Sequence, residues 1–422
     1  MEIRVPFGES ESSCTVSDSR KVTVLRAKGL EKTDGKKEID IIRDAMANPI
    51  GSPPLSELAR GKKKFVAITS DHTRPVPSHL TLPLMLEEIR KTSPDADITV
   101  LIGVGTHRAT TKEEMVQKFG AEFVKKEHIV VHDPNDESML VNLGILPSGG
   151  QCLINRLAME ADLLIADGFI EPHPFAGFSG GRKSILPGIA SMVTVLSCHN
   201  AEFALHPMVK PGILDGNPVH EDMIFVGRKS RLAFILNVVL DAKKKVTAAF
   251  AGEMDKAHRK GCEFVLELSG VESVKSPIVI TSNGGYPLDQ NMYQSNKSIQ
   301  QADFVSADGG VIIAVNECRD GHGGEMFFNA FKGKTPAEVA EEINKREREK
   351  TQPDQWASQF LANIMVRHPI IFVTKAPKEM VENFSMKYAA TLEEGLQMAE
   401  EIVKDKSAPI TVLPESISLI LR

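Results

Sequence analysis

Imidazole and amine side chains that could move protons or hold a metal lie close to glycines and arginines at several points in the chain. His72, His107 and His173 each come shortly after an apolar run, and His199 follows a glycine-rich segment that contains Lys183. Histidine transfers protons near neutral pH and is a common ligand of transition metals. We therefore expect these positions to serve an active site. The histidines that lack such a setting are expected to be structural: His128, His206, His258 and His368.

The glycine-rich segment at 177–184 reads Gly-Phe-Ser-Gly-Gly-Arg-Lys-Ser and is similar to a phosphate-binding loop. Glycines let backbone N–H groups approach an anion, and the lysine adds positive charge. A Walker A loop needs glycine immediately before its Lys-Ser pair, and Arg182 occupies that position here. The segment therefore predicts an anion site, but it argues against a standard nucleoside triphosphatase.

A second glycine pair, in Gly103-Val104-Gly105, begins like the dinucleotide-binding fingerprint. Arg108 stands where the third glycine of that fingerprint is required, so the match fails. A nicotinamide site then rests on fold analogy alone and remains an alternative.

Short apolar runs alternate with helical patterns in the first part of the chain. The runs lie at 65–68, 98–102, 129–131 and 163–166. Continuous runs of this length favour strands that are covered on both faces. Helical patterns lie at 78–91 and, after a capping box formed by Thr111 and Glu114, up to about Phe119. The alternation predicts a doubly wound parallel sheet, whose ligands bind beyond the carboxyl ends of the strands.

The same alternation restarts after a helical stretch at 255–268, with apolar runs at 278–281, 311–314 and 370–373. Further helix starts are predicted at Thr335-Pro336 and at Thr391. We therefore expect an α/β protein with two α/β domains, mostly parallel sheets and an active-site cleft between them. The predicted N-terminal, cofactor-binding domain spans 1–269, with the C-terminal segment 409–422 as a candidate addition. Residues 270–408 are expected to form a C-terminal α/β domain that contributes substrate contacts.

Composition narrows the class of partner. The 422 residues include 50 Lys and Arg against 56 Asp and Glu, a net charge of −6 that argues against binding to nucleic acid. The five cysteines form no Cys-x-x-Cys pair, which supports neither a disulfide framework nor a thiolate zinc site. The N-terminal residues lack an apolar signal core, and no apolar stretch approaches the roughly 18 residues of a membrane span. We expect a cytoplasmic protein.

Several short motifs carry a family resemblance when they are taken together. In chain order they are Asp71-His72-Thr73-Arg74-Pro75, Thr106-His107-Arg108, Glu171-Pro172-His173-Pro174, Ser179-Gly180-Gly181-Arg182-Lys183-Ser184-Ile185-Leu186-Pro187-Gly188, His199-Asn200 and Asn291-Met292-Tyr293-Gln294-Ser295-Asn296-Lys297. This set resembles the motifs of the nickel-pincer lactate racemase family, whose members racemise or epimerise 2-hydroxy acids. The resemblance extends from about residue 60 to 360, and the joint pattern is specific although each motif alone is weak.

The resemblance implies a cofactor. In this family it is nickel(II) pyridinium-3,5-bisthiocarboxylic acid mononucleotide, the nickel-pincer nucleotide, which is covalently attached through a thioamide to a lysine. Lys183 matches that lysine, and His199 matches the protein ligand of the nickel. The glycine-rich segment would hold the nucleotide phosphate through Ser179, Gly180, Gly181 and Arg182. Cofactor-maturation proteins are then expected partners, and recombinant protein made without them would lack the cofactor.

The resemblance also implies a reaction. The C2 hydrogen of a 2-hydroxy acid is too weakly acidic for a side chain to remove as a proton, which favours its removal as hydride while a base takes the hydroxyl proton. His107 and His173 match the two bases, one for each enantiomer. The implied substrate contacts are Arg74 and Lys297 as charged groups, Tyr293 and Gln294 as hydrogen-bonding groups, and Trp356 as a wall of the pocket.

Two other classes of function stay open from the sequence. An NAD-dependent 2-hydroxyacid dehydrogenase would share the fold class and the hydride chemistry but would not need Lys183. A non-catalytic nickel or nucleotide carrier would bind the cofactor without turnover. The matched residues handle only the carboxylate and the hydroxyl, so the particular acid and the oligomeric state are not predicted. His72, Arg319 and His322 are further candidates for the substrate pocket.

Overall fold

The protein was analysed as a computed structural model that describes residues 1–27, 35–241 and 243–422. The chain divides by its contacts into two units, which we call the N-terminal and C-terminal units. The N-terminal unit contains the described residues from 35 to 199 together with Pro207–Leu268. The C-terminal unit contains residues 1–27, Asn200–His206 and Ser269–Arg422.

The N-terminal unit is built on a six-stranded sheet. In spatial order the strands are Val246–Gly252, Leu232–Leu240, Leu163–Phe169, Lys64–Ser70, Asp97–Gly103 and His128–Val131. All neighbours pair in parallel except Val246–Gly252, which is antiparallel to Leu232–Leu240. Every residue of Leu163–Phe169 is buried, as expected for a central strand covered on both faces.

Helices and short hairpins complete the N-terminal unit. The helices are Glu38–Ala47, Leu55–Ala59, Ser78–Thr92, Lys112–Phe119, Ala121–Lys126, Arg156–Glu160, Met192–Cys198, Pro218–Lys229 and Met254–Ser269. The strands Leu140–Ile145 and Gln151–Asn155 form an antiparallel hairpin. The helix that was predicted after Thr111 is confirmed, and both hydrogen bonds of its capping box to Glu114 are present.

The C-terminal unit holds a second six-stranded sheet, whose neighbouring strands all pair in parallel. In spatial order its strands are Lys387–Ala389, Ile370–Val373, Ser306–Val315, Ser276–Thr281, Ile410–Leu413 and Val22–Val24. Its helices are Ala201–Leu205, Met292–Val305, Glu325–Ala330, Pro336–Asn344, Gln355–Arg367, Lys378–Asn383 and Leu392–Val403. The strands Glu2–Phe7 and Ser10–Thr15 pair as an antiparallel hairpin, and Gly270–Val271 pairs with Ile420–Leu421.

These two sheets confirm the predicted fold class of mixed α/β with mostly parallel strands. The apolar runs predicted as strands all lie within observed strands. The fourth strand is longer than predicted, because it continues through Asp167 to Phe169 before the long loop begins. The strands Leu232–Leu240 and Val246–Gly252 were not anticipated.

The division into units differs from a single boundary near residue 270. Strand Val22–Val24 and strand Ile410–Leu413 pair with each other, and Ile410–Leu413 also pairs with Ser276–Thr281. The N-terminal residues and the segment 409–422 therefore belong to the C-terminal unit, because strand pairing holds them in its sheet. Short edge strands such as Val22–Val24 carry too few residues to show from sequence which sheet they join.

Two further features concern the whole described chain. All five cysteines are buried and free: Cys14, Cys152, Cys198, Cys262 and Cys318. In the parts of the chain that the structure describes, every helix is too short or too polar to cross a membrane.

Candidate active site

Loops after two neighbouring parallel strands bring an aspartate to a histidine. Asp71 follows strand Lys64–Ser70, and His107 lies beyond strand Asp97–Gly103. His107 Nδ1 is 2.6 Å from Asp71 Oδ2, and the Asp71 side chain is 2 % exposed. Because the carboxylate only accepts hydrogen bonds, the proton of the neutral imidazole is held on Nδ1 and the lone pair on Nε2. His107 is thus oriented to accept a proton.

The charge of the Asp71 carboxylate is secured by its surroundings. Burial acts to raise the pKa of Asp71, but hydrogen bonds from His107 and Thr73 and the charge of Arg74 lower it to about 2. Thr73 donates its hydroxyl at 2.6 Å and its backbone N–H at 3.0 Å to Asp71 Oδ1. The carboxyl is therefore ionised at neutral pH and keeps the ring of His107 in one tautomer.

A half-buried lysine supports the loop that carries Arg74, the predicted anchor of the substrate carboxylate. Lys118, in helix Lys112–Phe119, donates from Nζ to the carbonyl oxygen of Arg74 at 2.9 Å. Burial lowers the pKa of the Lys118 amine, while the negative charges of Asp167 and Asp71 oppose that shift. The Arg74 side chain itself is half-buried.

His173 is held in the opposite ring tautomer to His107. It lies in the two-residue strand Pro172–His173, which pairs with Gly177–Phe178 in a tight hairpin. The backbone N–H groups of Phe175 and Ala176 donate to His173 Nδ1 at 3.2 and 3.1 Å. An imidazole nitrogen that accepts two N–H groups carries the lone pair, so the proton of the neutral ring is on Nε2. In this loop conformation Nε2–H is the hydrogen-bond donor of the His173 ring.

His199 ends the helix Met192–Cys198 with its ring fixed on both sides. Its Nδ1 lies 2.9 Å from the Val195 carbonyl oxygen, and its ring stacks on Phe175 with centroids 4.8 Å apart. Donation from Nδ1 to that carbonyl leaves the Nε2 lone pair for a metal, the usual arrangement of a metal-binding histidine. Burial, and then the charge of Lys183, lower the pKa of His199 to about 4, so the ring is neutral at physiological pH.

Lys183 lies in the short 3-10 turn Gly181–Ser184, and its side chain is half-buried. Its charge acts on both His199 and Cys198. The turn is entered through Gly180 and Gly181, whose φ angles of +80° and +53° favour glycine. The positive charge of Lys183 is therefore within electrostatic range of the imidazole of His199.

The loop of His107 packs against the segment that follows Lys183. The Gly105 N–H donates to the Gly188 carbonyl oxygen at 3.0 Å. A Cβ atom at Gly103 would come within 3.0 Å of the same oxygen, so this approach requires a residue without a side chain. The structure thus places the loops of Asp71, His107 and Lys183 at one edge of the N-terminal sheet.

Several groups predicted to contact a nucleotide phosphate are instead used inside the glycine-rich loop. The Ser179 hydroxyl donates to the Phe169 carbonyl at 2.8 Å and accepts the Glu171 N–H at 2.9 Å. The Gly181 N–H donates to Asn237 Oδ1 at 2.8 Å. The Arg182 side chain is 0 % exposed and points into the interior. Ser179, Gly181 and Arg182 therefore use these donors within the protein, and their contact with a nucleotide phosphate stays a prediction.

Four of the predicted substrate contacts lie on two helices of the C-terminal unit. Tyr293, Gln294 and Lys297 are on helix Met292–Val305, as predicted, and Trp356 is on helix Gln355–Arg367. Tyr293 donates its hydroxyl to Asp354 at 3.2 Å, which joins the first helix to the residue preceding the second. Tyr293 and Trp356 both pack at the margin of the same apolar core.

The three residues left without a role have defined neighbours. His72 Nδ1 is 3.2 Å from the Thr110 hydroxyl. Arg319 donates to Glu317 at 2.8 Å and stacks over the ring of Tyr286. His322 stacks on Phe328 with centroids 4.7 Å apart and accepts the Gly324 N–H. These contacts explain the positions of the three side chains but assign them no chemistry.

Asp71, Lys118 and Asn237 were not singled out from the sequence as site residues. Asp71 stood inside a quoted motif, and its position directly after a buried strand was a usable signal. Asn237 interrupts the apolar strand Leu232–Leu240 and is 0 % exposed. A buried amide in such a strand needs partners, which is a signal of a fixed neighbouring loop. Lys118 gave no signal, because nothing in its helix shows that the amine turns inward.

Within the described residues there is no group of three or more His, Cys, Asp and Glu side chains placed to hold a metal ion. The nickel prediction requires one protein donor, and His199 provides a neutral imidazole of the correct tautomer for it.

The fold and these residues together define a class. The N-terminal unit is an α/β scaffold with strand-end loops that carry an aspartate-oriented histidine, a second histidine, and a lysine beside a neutral imidazole. Such a set suits proton transfer next to a bound cofactor.

Family comparisons identify the chain more closely. The model of the lactate racemase N-terminal domain matches residues 7–210, and that of the lactate racemase C-terminal domain matches residues 271–421. The lactate racemases of Thermoanaerobacterium thermosaccharolyticum and Lactiplantibacillus plantarum are 50 % and 44 % identical to it, each over 100 % of this chain and 99 % of the relative. The chain belongs to the lactate racemase family and is an isomerase.

Solved structures agree with this assignment. The lactate racemase apoprotein from Thermoanaerobacterium thermosaccharolyticum matches with a TM-score of 0.96 at 50 % identity, covering 100 % of both chains. A Thermotoga maritima protein matches with a TM-score of 0.65 at 19 % identity, over 93 % of this chain and 100 % of that one, and shares the fold.

Proposed function

We propose that the protein interconverts the D and L forms of lactate or a closely related 2-hydroxy acid. The identity to two lactate racemases along the whole chain supports this substrate class. The single structural observation that carries the proposal is the tautomer of His199, whose Nδ1 lies 2.9 Å from the Val195 carbonyl oxygen and whose pKa is lowered by burial and by the charge of Lys183. Nε2 of this neutral imidazole would suit nickel, and the Lys183 amine could be acylated.

We propose the nickel-pincer nucleotide as the group that these two residues hold. Lys183 would tether it covalently, and His199 would donate from Nε2 to its nickel. When bound, this cofactor would take up the C2 hydrogen of the substrate as hydride and return it to either face of the planar 2-keto acid. The stack of His199 on Phe175 fixes the plane of the donor ring, which favours one orientation of the bound group.

The substrate contacts are proposed from the motifs and from the placement of each residue. Arg74 would anchor the carboxylate by charge, and Lys118 would keep the Arg74 backbone in place. Tyr293, Gln294, Lys297 and Trp356 are the proposed contacts from the C-terminal unit. Cofactor-maturation proteins are proposed as partners in loading the enzyme.

The two histidines would handle the hydroxyl proton. His107 is ready to accept it on Nε2, because Asp71 holds the other ring proton. His173, with its proton on Nε2, would donate a hydrogen bond to the substrate oxygen. For His173 to act as the base for the opposite enantiomer, its ring proton would have to move from Nε2 to Nδ1, which leaves the lone pair on Nε2. The amides of Phe175 and Ala176 would then have to turn away from Nδ1.

The proposal is tested by comparing wild type with Lys183→Ala and Lys183→Arg after co-expression with the cofactor-maturation proteins. We expect wild type to gain the mass of the cofactor and to racemise D- and L-lactate in a chiral assay. Both variants should lose the added mass and the activity together, although Lys183→Arg keeps the positive charge. Racemisation by Lys183→Ala would contradict the tether, and turnover that depends on added NAD would favour a dehydrogenase.

A further inference from the structure

Arg182 occupies an unusual environment for a charged side chain. It is fully buried, and its guanidinium donates in several directions. Nε donates to His220 Nδ1 at 3.0 Å, and Nη1 lies 2.9 Å from His258 Nε2. Nη2 donates to the Ala176 carbonyl at 2.8 Å, and Nη1 also donates to the carbonyls of Phe178 and Gly180, at 3.1 and 3.2 Å.

The partners of this cation are all neutral. Among the described residues its hydrogen bonds go to backbone carbonyls and imidazole nitrogens, and none goes to a carboxylate. Burial lowers the pKa of Arg182 to about 10, so the group is still charged at neutral pH. Burying a cation without a carboxylate is costly, and its desolvation must be offset by well-placed dipoles. Such a group is retained where it fixes a geometry.

The carbonyls held by Arg182 belong to the loop between His173 and Lys183. Ala176 connects the two groups directly, because its N–H donates to His173 Nδ1 while its carbonyl accepts from Arg182. Phe178 is the strand partner of Pro172 in the hairpin that presents His173. Gly180 leads into the turn that carries Lys183. One buried side chain therefore ties down both sides of the loop.

Two buried histidines hold the guanidinium from the far side. Burial and the positive charge of Arg182 lower the pKa of His220 to about 3 and that of His258 well below its usual value. Neutral His220 accepts from the guanidinium at Nδ1. His258 Nε2 contacts Nη1 of Arg182 and lies 2.8 Å from the Ser179 carbonyl oxygen, so a neutral His258 that donates there holds the loop directly. A Cβ at Gly181 would come within 2.9 Å of the His258 ring, so the loop packs tightly on this support. His258, which we expected to be structural, is a buried partner of the cation.

We propose that Arg182, supported by His220 and His258, is a positioning residue that fixes the loop presenting His173 and Lys183, and that it is not a ligand of the nucleotide phosphate. The relevance to turnover rests on the proposed function of His173 and Lys183. The hydrogen bonds between Arg182 and this loop, which we call the clamp, do not depend on that function, because they are formed within the protein itself. It gives a purpose to the arginine that replaces the glycine of a Walker A loop.

The first test uses wild-type apoprotein labelled with 15N-arginine, with the Arg182 Nε–H signal assigned from Arg182→Lys. Inorganic phosphate and nicotinamide mononucleotide are titrated as probes. If Arg182 is a positioning residue, its signal should not change at probe concentrations that shift other resonances. It should also stay unchanged at the highest probe concentration used. A saturable shift of the Arg182 signal with either probe would overturn the proposal. The titration itself is made on the wild-type protein and needs no racemase activity.

The second test compares the loop in wild type, Arg182→Lys and the control Arg228→Lys. Arg228 is 68 % exposed and forms a surface pair with Asp255, so its replacement should leave the loop unchanged. A lysine amine cannot donate hydrogen bonds in all the directions that the guanidinium does. We therefore expect amide hydrogen exchange at Phe175 and Ala176 to be at least about tenfold faster in Arg182→Lys. The 15N shifts of His173 should show a mixture of tautomers. Unchanged exchange together with a single His173 tautomer in Arg182→Lys would contradict the clamp.

Discussion

Replacing Asp71 by asparagine removes the charge that orients His107 and leaves a side chain of the same shape. Hydrogen bonds and neighbouring charges outweigh burial and lower the pKa of Asp71 from 3.8 to about 2. At about 1.4 kcal/mol per pKa unit, the ionised carboxylate is favoured by a net of roughly 2.5 kcal/mol after the cost of burial, or a factor of about 70. The side chain is only 2 % exposed, so little of this is lost to solvent screening.

The tautomer adds a further penalty. An asparagine amide can donate to His107 Nδ1, which would move the ring proton to Nε2, where the base must be free. The equivalent change in a serine-protease triad costs about 10⁴-fold in kcat. We therefore expect Asp71→Asn to lower kcat/KM for lactate racemisation between about 10²-fold and about 10⁴-fold, mainly through kcat.

The assay is chiral chromatography of matured enzyme with D- or L-lactate, and the control is Asp162→Asn. Asp162 accepts the backbone N–H groups of Lys63 and Lys64 at the opposite end of the same strand. That variant should keep wild-type kcat even if it is slightly less stable. A fall of less than about threefold in folded Asp71→Asn would refute the argument that the carboxylate orients His107 for proton transfer.

Further predictions concern the glycine turn, the metal and acid stability. Gly181→Ala should lower the free energy of unfolding by at least about 2 kcal/mol in urea titrations, because its φ is +53° and its Cβ would meet His258. Gly309→Ala, at φ +71° with nothing within 4 Å, should cost only about 1 kcal/mol, and equal losses would contradict the packing argument. His199→Gln should retain at least about tenfold less nickel after dialysis of matured protein, measured by plasma mass spectrometry, and full retention would exclude it as the donor. The depressed pKa of Asp71 stabilises the fold above pH 3.8, and this contribution is lost as the pH falls towards about 2, so Asp71→Asn should unfold with a weaker acid dependence over that interval. Parallel pH curves for wild type and the variant would count against it.

Much of the scaffold follows from local patterns in the sequence. Apolar runs such as the one within Leu163–Phe169 are buried on both faces, and Thr111 with Glu114 sets a helix start through its own side chain. The strand Leu232–Leu240 was missed although it is apolar, because no flanking loop motif drew attention to it. The membership of the segment 409–422 depends on long-range pairing, which no local pattern encodes.

The candidate site was predictable as a set of residue types but not as a geometry. Loop position after a strand pointed to His107 and His173, yet their opposite tautomers depend on whether a carboxylate or backbone amides reach Nδ1. The inward turn of Arg182 could not be foreseen either. Its partners are carbonyls of its own loop and two histidines that are distant in sequence, whereas a charged residue in a glycine-rich loop is ordinarily expected to face a ligand.

The most direct test of the central claim follows the hydrogen on C2. Matured enzyme is given D-lactate carrying deuterium at C2 in ordinary water, and the L-lactate formed is analysed by mass spectrometry. Hydride transfer to a bound cofactor and back predicts that the product keeps its deuterium and forms more slowly than from unlabelled substrate. Loss of the deuterium to solvent in the product would contradict the account, because it would mean that the C2 hydrogen leaves as a proton.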